Sequence, residues 1–235
     1  MVKAILFDLD ATLLPMDQDA FLTAYIGGMA KKMVLRGYNE AELTEAVWFG
    51  SYEMIKNDGS RKNREVFWDY FAKRFGQSAR ADESYFDDFY KNEFSRFKNI
   101  CGYDPRARRI IDRVCAEGIP AVLATNPVFP EVATLKRLSW AGLSPEQFAH
   151  ITTYENSSYS KPNPKYYLEI ANRIGVAPED CLMVGNDTSD DMSASAAGMQ
   201  TYLVTDYLIN KSGEDISRYR HGTLAEFEEY LNTIF

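Results

Sequence analysis

Two acids invite the first chemical reading. The stretch AILFDLDATLL, residues 4–14, ends an apolar run with Asp8 and Asp10. Alternate residues of a strand point to the same side, so both carboxylates face one way. Like charges at that spacing repel, and burying them is costly without a cation, a proton or strong hydrogen bonds. Candidates to relieve them stand after later apolar runs. Thr125 and Asn126 follow IPAVLA, Lys161 lies in SKPNP, and Asn186, Asp187 and Asp191 follow CLMVG. Each has an ordinary explanation alone. Thr125 and Asn126 suit a turn or helix cap, Lys161 a solvated loop, Asp187 and Asp191 a helix N-terminus. A DxDxT followed in order by T-N, K-P-N-P and G-N-D-x-x-x-D is a far more specific signal.

These residues need elements to hold them. Residues 2–8 read as a strand, and from about 17 to 100 the apolar spacing predicts helices near 18–36, 40–57, 63–76 and 83–96. The polar turn NDGSRKN separates the second from the third, and Arg61, Lys62 and Arg64 of the turn at 57–64 fit a solvated basic loop better than a reader of substrate charge. Beyond residue 100 the pattern alternates. Helices fall at 105–118, within 128–142, at 163–175, 189–198 and 223–234, and strands at 119–125, 149–154, 181–185 and 200–205. Such alternation implies a parallel sheet covered on both faces. The first strand must join the later ones, so the helical stretch is an insert with hinges near 13–19 and 97–104. Ligands in open α/β sheets sit beyond the carboxyl ends of the strands, where every candidate residue falls.

The composition narrows the function. The chain has 235 residues, 46% of them hydrophobic, enough for one large domain or a core with an insert. A net charge of −8 argues against nucleic acid and anionic membrane as partners. Only His150 and His221 occur, which excludes a histidine-rich metal site. Cys101, Cys115 and Cys181 have no paired spacing and fit reduced thiols in a cytoplasmic protein. No signal segment or bilayer-length apolar run is present. The insert's aromatics, among them Phe21, Tyr25, Trp48, Trp68, Tyr70, Phe71 and Phe89, read mainly as packing of a small helical bundle, with a few left to line a pocket.

The whole pattern resembles the haloacid dehalogenase-like hydrolase superfamily, in the phosphatase-like subgroup with a helical cap inserted after the first motif. The first motif matches Phe7–Leu13, the second Thr125, the third Lys161 and the fourth Gly185–Asp191. The resemblance implies an α/β fold: a Rossmann-like three-layer α/β/α core with a parallel sheet, residues 1–16 and 100–235, plus an inserted all-helical cap, residues 17–99. It implies Mg²⁺ and a small phosphorylated metabolite as partner, with the chain a monomer or homodimer. Asp8 is then the nucleophile and Asp10 the acid/base. Thr125, Asn126 and Lys161 hold the phosphoryl group. Asp8, the Asp10 carbonyl and Asp187 hold the metal, with the Asn186 amide oxygen as the alternative and Asp191 acting through water. Ala11 stands where the family often has glycine, which matters only if the backbone takes a positive φ there. Phosphomutase, phosphonatase and dehalogenase chemistry share the fold. A noncatalytic phosphate-ligand-binding protein is the reading from another class.

Overall fold

The AILF run becomes the innermost strand. β1 (Ala4–Phe7) is buried along its whole length, as a strand covered on both faces must be. Alternation divides its side chains: Ile5 and Phe7 join a hydrophobic layer of 47 buried residues, Ala4 and Leu6 a second of 12. The computed structural model describes residues 1–235.

After β1 the chain leaves the sheet for α1 (Gln18–Met33), α2 (Glu40–Ile55), α3 (Asn63–Phe75) and α4 (Glu83–Asn92). It returns through α5 (Pro105–Ala116), β2 (Ala121–Leu123), α6 (Glu131–Trp140), β3 (His150–Ile151) and α7 (Pro164–Ile174). β4 (Cys181–Gly185), β5 (Gln200–Val204), β6 (Arg220–Gly222) and α8 (Leu224–Tyr230) complete it. The six strands are all parallel, in the order β3-β2-β1-β4-β5-β6. The order grows outward from β1 in both directions, so the ligand crevice opens at the end of β1. This is the expected Rossmann-like core with a helical cap.

Local chemistry sets the helix starts. Asp17, Asn39 and Asn163 each precede a helix and accept backbone N–H groups of its first turn, at 3.0–3.1 Å. Two details differ from the sequence reading. Residues 189–198 form no α-helix but a 3₁₀ segment, Met192–Ala197, in which the Ser193 and Ser195 hydroxyls bond the Asp190 and Met192 carbonyls. Such local bonds compete with the helical ladder. The short edge strand β6 lacks the apolar run that would announce it.

The cap and core share the larger hydrophobic layer. Phe94 stacks on Trp140 with ring centroids 5.4 Å apart, and Phe21 meets the same indole edge-on. The outgoing and returning chains pair at Met16 and Cys101. The turn before α3 makes a further tether. Asn63 donates its side-chain N–H to the Pro127 carbonyl and to Ser160 Oγ, both at 3.0 Å. The basic residues of that turn are occupied: Arg61 pairs with Asp69, Lys62 with Glu169 and Arg64 with Glu83. No helix is long and apolar enough to cross a membrane.

Candidate active site

All eight candidate residues line one cavity of about 340 Å³ at the carboxyl ends of β1, β2 and β4. Asp8 still belongs to the sheet ladder, its N–H bonded to the Val184 carbonyl at 2.9 Å. A tight loop follows: the Thr12 and Leu14 N–H groups both reach the Leu9 carbonyl. Ala11, at the crest of this loop, has φ +61° and is buried. The position therefore does need a left-handed backbone, and alanine holds it at a cost of roughly 1–2 kcal/mol.

A buried ammonium sits among the acids. Lys161 Nζ lies 2.8 Å from Asp8 Oδ1 and 2.6 Å from Asp191 Oδ1. Burial works against the Lys161 charge, but Asp191 and Asp8 outweigh it and hold the group well above its ordinary pKa. Burial pushes the Asp8 carboxyl upward, opposed by Lys161 and reinforced by Asp191 and Asp10. Asp191 is fixed at its other oxygen by the Asp187 N–H at 3.0 Å. Gly185 makes this arrangement possible, because a Cβ there would overlap the Asp191 carboxylate. The other candidates are likewise held by their surroundings. Thr152 and Tyr166 both donate to the Thr125 carbonyl, at 2.7 and 2.9 Å, and fix the end of β2. Asn126 donates to Asp190 at 3.1 Å. Burial is the main reason the Asp190 carboxyl rises to about 6.

The fourth motif divides its labour. Asn186 gives its N–H to the Tyr207 carbonyl at 2.7 Å, which aims Oδ1 at the Thr12 hydroxyl, 3.0 Å away. That hydroxyl also lies 3.3 Å from Asp8 Oδ2. One hydroxyl hydrogen cannot serve both oxygens fully, so lone pairs on Asp8 and Asn186 remain available side by side. Asp187 instead caps the following turn, accepting the Ser189 and Asp190 N–H groups through Oδ1 at 2.7 and 2.9 Å. No three acid, histidine or cysteine side chains converge to hold a metal by themselves. Buried oxygens from one acid and one amide, beside surplus negative charge, fit a hard cation that keeps several waters and a substrate oxygen. The residues present therefore fit Mg²⁺.

Sequence reasoning missed one residue altogether. Arg137 on α6 is wholly buried and forms an ion pair with Asp10. Its guanidinium carbon lies 3.9 Å from the centre of the Phe129 ring, and its Nε and Nη2 have no acceptor. Asp10 Oδ1 also lacks a partner. The available signal was positional: Arg137 shares its helix face with Ala133, Thr134, Leu138 and Ala141, all buried. Thr12 and Asp190 lie within the first and fourth motifs, which assign them no role of their own. Of the insert's quoted aromatics, Tyr25 and Trp48 line the cavity and the others pack elsewhere.

Comparison with known proteins agrees with this fold. A family model described as haloacid dehalogenase-like hydrolase matches residues 2–198. A phosphoglycolate phosphatase from Xanthomonas campestris pv. campestris is 28% identical over 200 residues, 84% of this chain and 80% of that protein. A glyceraldehyde 3-phosphate phosphatase from Methanopyrus kandleri is 27% identical over 216 residues, 87% of this chain and 84% of that one. Among solved structures, a haloacid dehalogenase-like (HAD) phosphatase from Thermococcus onnurineus superposes with a TM-score of 0.59 at 22% identity, covering 98% of both chains. An L-2-haloacid dehalogenase from Xanthobacter autotrophicus gives 0.58 at 15% identity, covering 100% of both. At these identities the structural likeness speaks for the fold.

Proposed function

Because the chain belongs to the haloacid dehalogenase-like hydrolases, we propose that it is a Mg²⁺-dependent phosphatase acting on a small phosphorylated metabolite through an aspartyl phosphate. The observation that carries this reading is the Asp8–Lys161 contact at 2.8 Å, open to a cavity that also holds Asp10 two residues on. Phosphatases recur among the similar sequences.

In the proposed reaction Asp8 attacks phosphorus in line, and the bond from phosphorus to the leaving oxygen breaks. Asp10 gives its proton to that oxygen. It then takes a proton from the water that attacks the aspartyl phosphate, releasing inorganic phosphate and free Asp8. The Thr125 hydroxyl and the Asn126 N–H hold phosphoryl oxygens. Lys161 neutralises charge that builds on the equatorial oxygens. Bound Mg²⁺ supplies positive charge against the clustered acids and the incoming phosphate. Asp8, the Asp10 carbonyl and Asn186 Oδ1 would hold it. The hydrogen bonds favour Asn186 over Asp187, the reverse of the order read from sequence, and leave Asp191 anchoring Lys161. The presence of Asp10 favours phosphate ester cleavage over dehalogenation, which needs no acid/base at that position. Residues 1–16 and 100–235 form the catalytic core and 17–99 the cap, a division supported by the Met16–Cys101 pairing. The three free cysteines suit the cytoplasm.

The test is phosphate release from a panel of phosphorylated metabolites and one aryl phosphate, with Mg²⁺ and with chelator. The expected result is metal-dependent release that Asp8→Asn abolishes while its melting temperature stays near that of the parent. Wild-type-like release from Asp8→Asn would remove Asp8 as the nucleophile.

A further inference from the structure

The cap wall of the cavity is built by two helical stripes. On α1 the residues at spacings of four, Gln18, Leu22 and Ile26, face the cavity, and on α2 Trp48, Tyr52 and Ile55 do so. The core adds Val128, Phe129 and Ile209. Trp48 and Tyr52 keep 44% and 49% of their surface exposed, although both belong to a cap otherwise rich in buried aromatics. Large apolar surface left open at the mouth of a site is what a ligand covers.

The charges point the same way. Five acids line the cavity, Asp8, Asp10, Asp187, Asp190 and Asp191, and Lys161 is the one cation among the lining residues. Its ammonium is already engaged by Asp8 and Asp191. The basic residues of the cap turn are paired elsewhere. Lys56, the cation nearest this wall in sequence, lies over the Tyr52 ring at 4.1 Å and does not line the cavity. A second anionic group on the substrate would thus meet no free cation: the cap wall offers only the neutral Gln18 and Ser51 among aliphatic and aromatic side chains, and the core side a surplus of carboxylates. Burying a carboxylate there without a partner is costly.

Resting on the phosphatase reading, we infer that the substrate is a phosphate monoester of an uncharged alcohol with an apolar, ring-sized face, which Trp48 and Tyr52 cover. The phosphoryl group lies against Asp8 and Lys161, and the alcohol points toward the cap. A volume of about 340 Å³ is near the lower end for small-molecule sites and leaves room for a ring-sized alcohol beyond the phosphoryl group. Carboxylated phosphates, such as the phosphoglycolate in the names of several relatives, are disfavoured. Aliphatic Leu22, Ile26 and Ile55 also distinguish this wall from a cage for a cationic ligand.

The experiment compares benzyl phosphate, methyl phosphate, phosphoglycolate and phosphocholine as substrates under Mg²⁺. The expected kcat/KM for benzyl phosphate exceeds that for each of the others by about tenfold or more, the scale on which apolar pockets discriminate. Trp48→Ala and Tyr52→Ala shrink the ratio of benzyl to methyl phosphate several-fold, and Trp48→Arg, at an exposed position, shifts preference toward phosphoglycolate. Lys56→Met leaves the ranking as it was. Equal or better use of phosphoglycolate or phosphocholine by the parent protein overturns the inference. Binding is read separately from turnover, as melting shifts with benzylphosphonate and phosphonoacetate. A larger shift with benzylphosphonate supports the ligand class even if no ester is cleaved, in which case the phosphatase reading alone falls. A larger shift with phosphonoacetate overturns the ligand class.

Discussion

Arg137→Met probes the buried pair at Asp10. In the native protein the guanidinium is fully enclosed, and Asp10 is its one ionic partner. Removing one member of a buried pair costs about 3–5 kcal/mol, because the other charge is left uncompensated. Two offsets apply. Asp10 borders the cavity, so water reaches its carboxylate once the arginine is gone. The change also relieves the nitrogens Nε and Nη2, which have no acceptor, together a cost of ~1–3 kcal/mol. Methionine keeps an unbranched apolar chain beside Phe129 and limits the void. The net expectation is a loss of about 1–3 kcal/mol, or roughly 2–12 °C in Tm for a chain of this size. Asp10→Asn leaves the enclosed arginine without a counter-charge and costs about 3–5 kcal/mol. The double variant, with neither charge, falls close to the parent. Urea denaturation of the four proteins closes the cycle, with a coupling of ~2 kcal/mol or more expected. Additivity within ~0.5 kcal/mol would refute the pairing as an energetic unit.

The same substitution has a catalytic signature. Arg137 grips Asp10 through Oδ2 and leaves Oδ1 without a protein partner, so Oδ1 is the oxygen free to exchange a proton with the leaving group. Without the arginine the carboxylate loses its fixed aim. Turnover of an alkyl phosphate, whose leaving oxygen needs that proton, should fall about 100-fold. A nitrophenyl phosphate, whose leaving group departs as a stable anion, should lose less than about tenfold. Arg137→Lys should recover part of the alkyl phosphate rate. Equal losses on both esters would show that Arg137 only maintains the fold.

Other expectations follow from single positions. Ala11→Gly removes a strain of roughly 1–2 kcal/mol but adds unfolded-state freedom of about 0.4–1 kcal/mol, so a Tm rise of a few degrees with activity retained is expected; a fall would contradict the left-handed assignment. Gly185→Ala drives a methyl group into the Asp191 carboxylate, so a loss of about 1–3 kcal/mol in denaturation and weaker activity are expected, and a variant indistinguishable from the parent would count against the Asp191–Lys161 anchor. His150, on β3, is lowered from 6.5 to about 4, first by burial and then by Arg173, with Glu169 opposing. The unfolded chain therefore takes up its proton first as pH falls below 6.5, and stability declines down to about pH 4, by about 1–3 kcal/mol in all. His150→Gln should flatten that part of the stability profile, and an unchanged slope would exclude His150 as its source.

What the sequence made legible is what local rules govern. Apolar runs of four or five residues, such as AILF and CLMVG, have few alternatives to a buried strand, and each is followed by the polar residues that a strand end must present. Asp8, Thr125 and Asn186 could be found because each lies just beyond such a run, and Lys161 because K-P-N-P marks the loop that opens the next helix. Arg137 carried only a periodicity signal, its spacing from Ala133, Thr134 and Ala141, and nothing local says that it meets an acid 127 residues away; Lys136 reaches out to the Lys91 carbonyl, while Arg137 rotates onto the apolar face toward Asp10. The choice between Asn186 and Asp187 was hidden for a similar reason. It depends on which side chain the backbone of residues 189–190 recruits as a cap, a matter of three-dimensional turn geometry. The cap wall is the third case. The sequence showed Trp48 only as one of many aromatics in a helical insert, and a face turned to a cavity and a face turned to a core read alike until the opposing surface is known. Chemistry common to many substrates is therefore written in short motifs at strand ends, whereas the groups that select one substrate lie on helices whose partners are set by the fold as a whole.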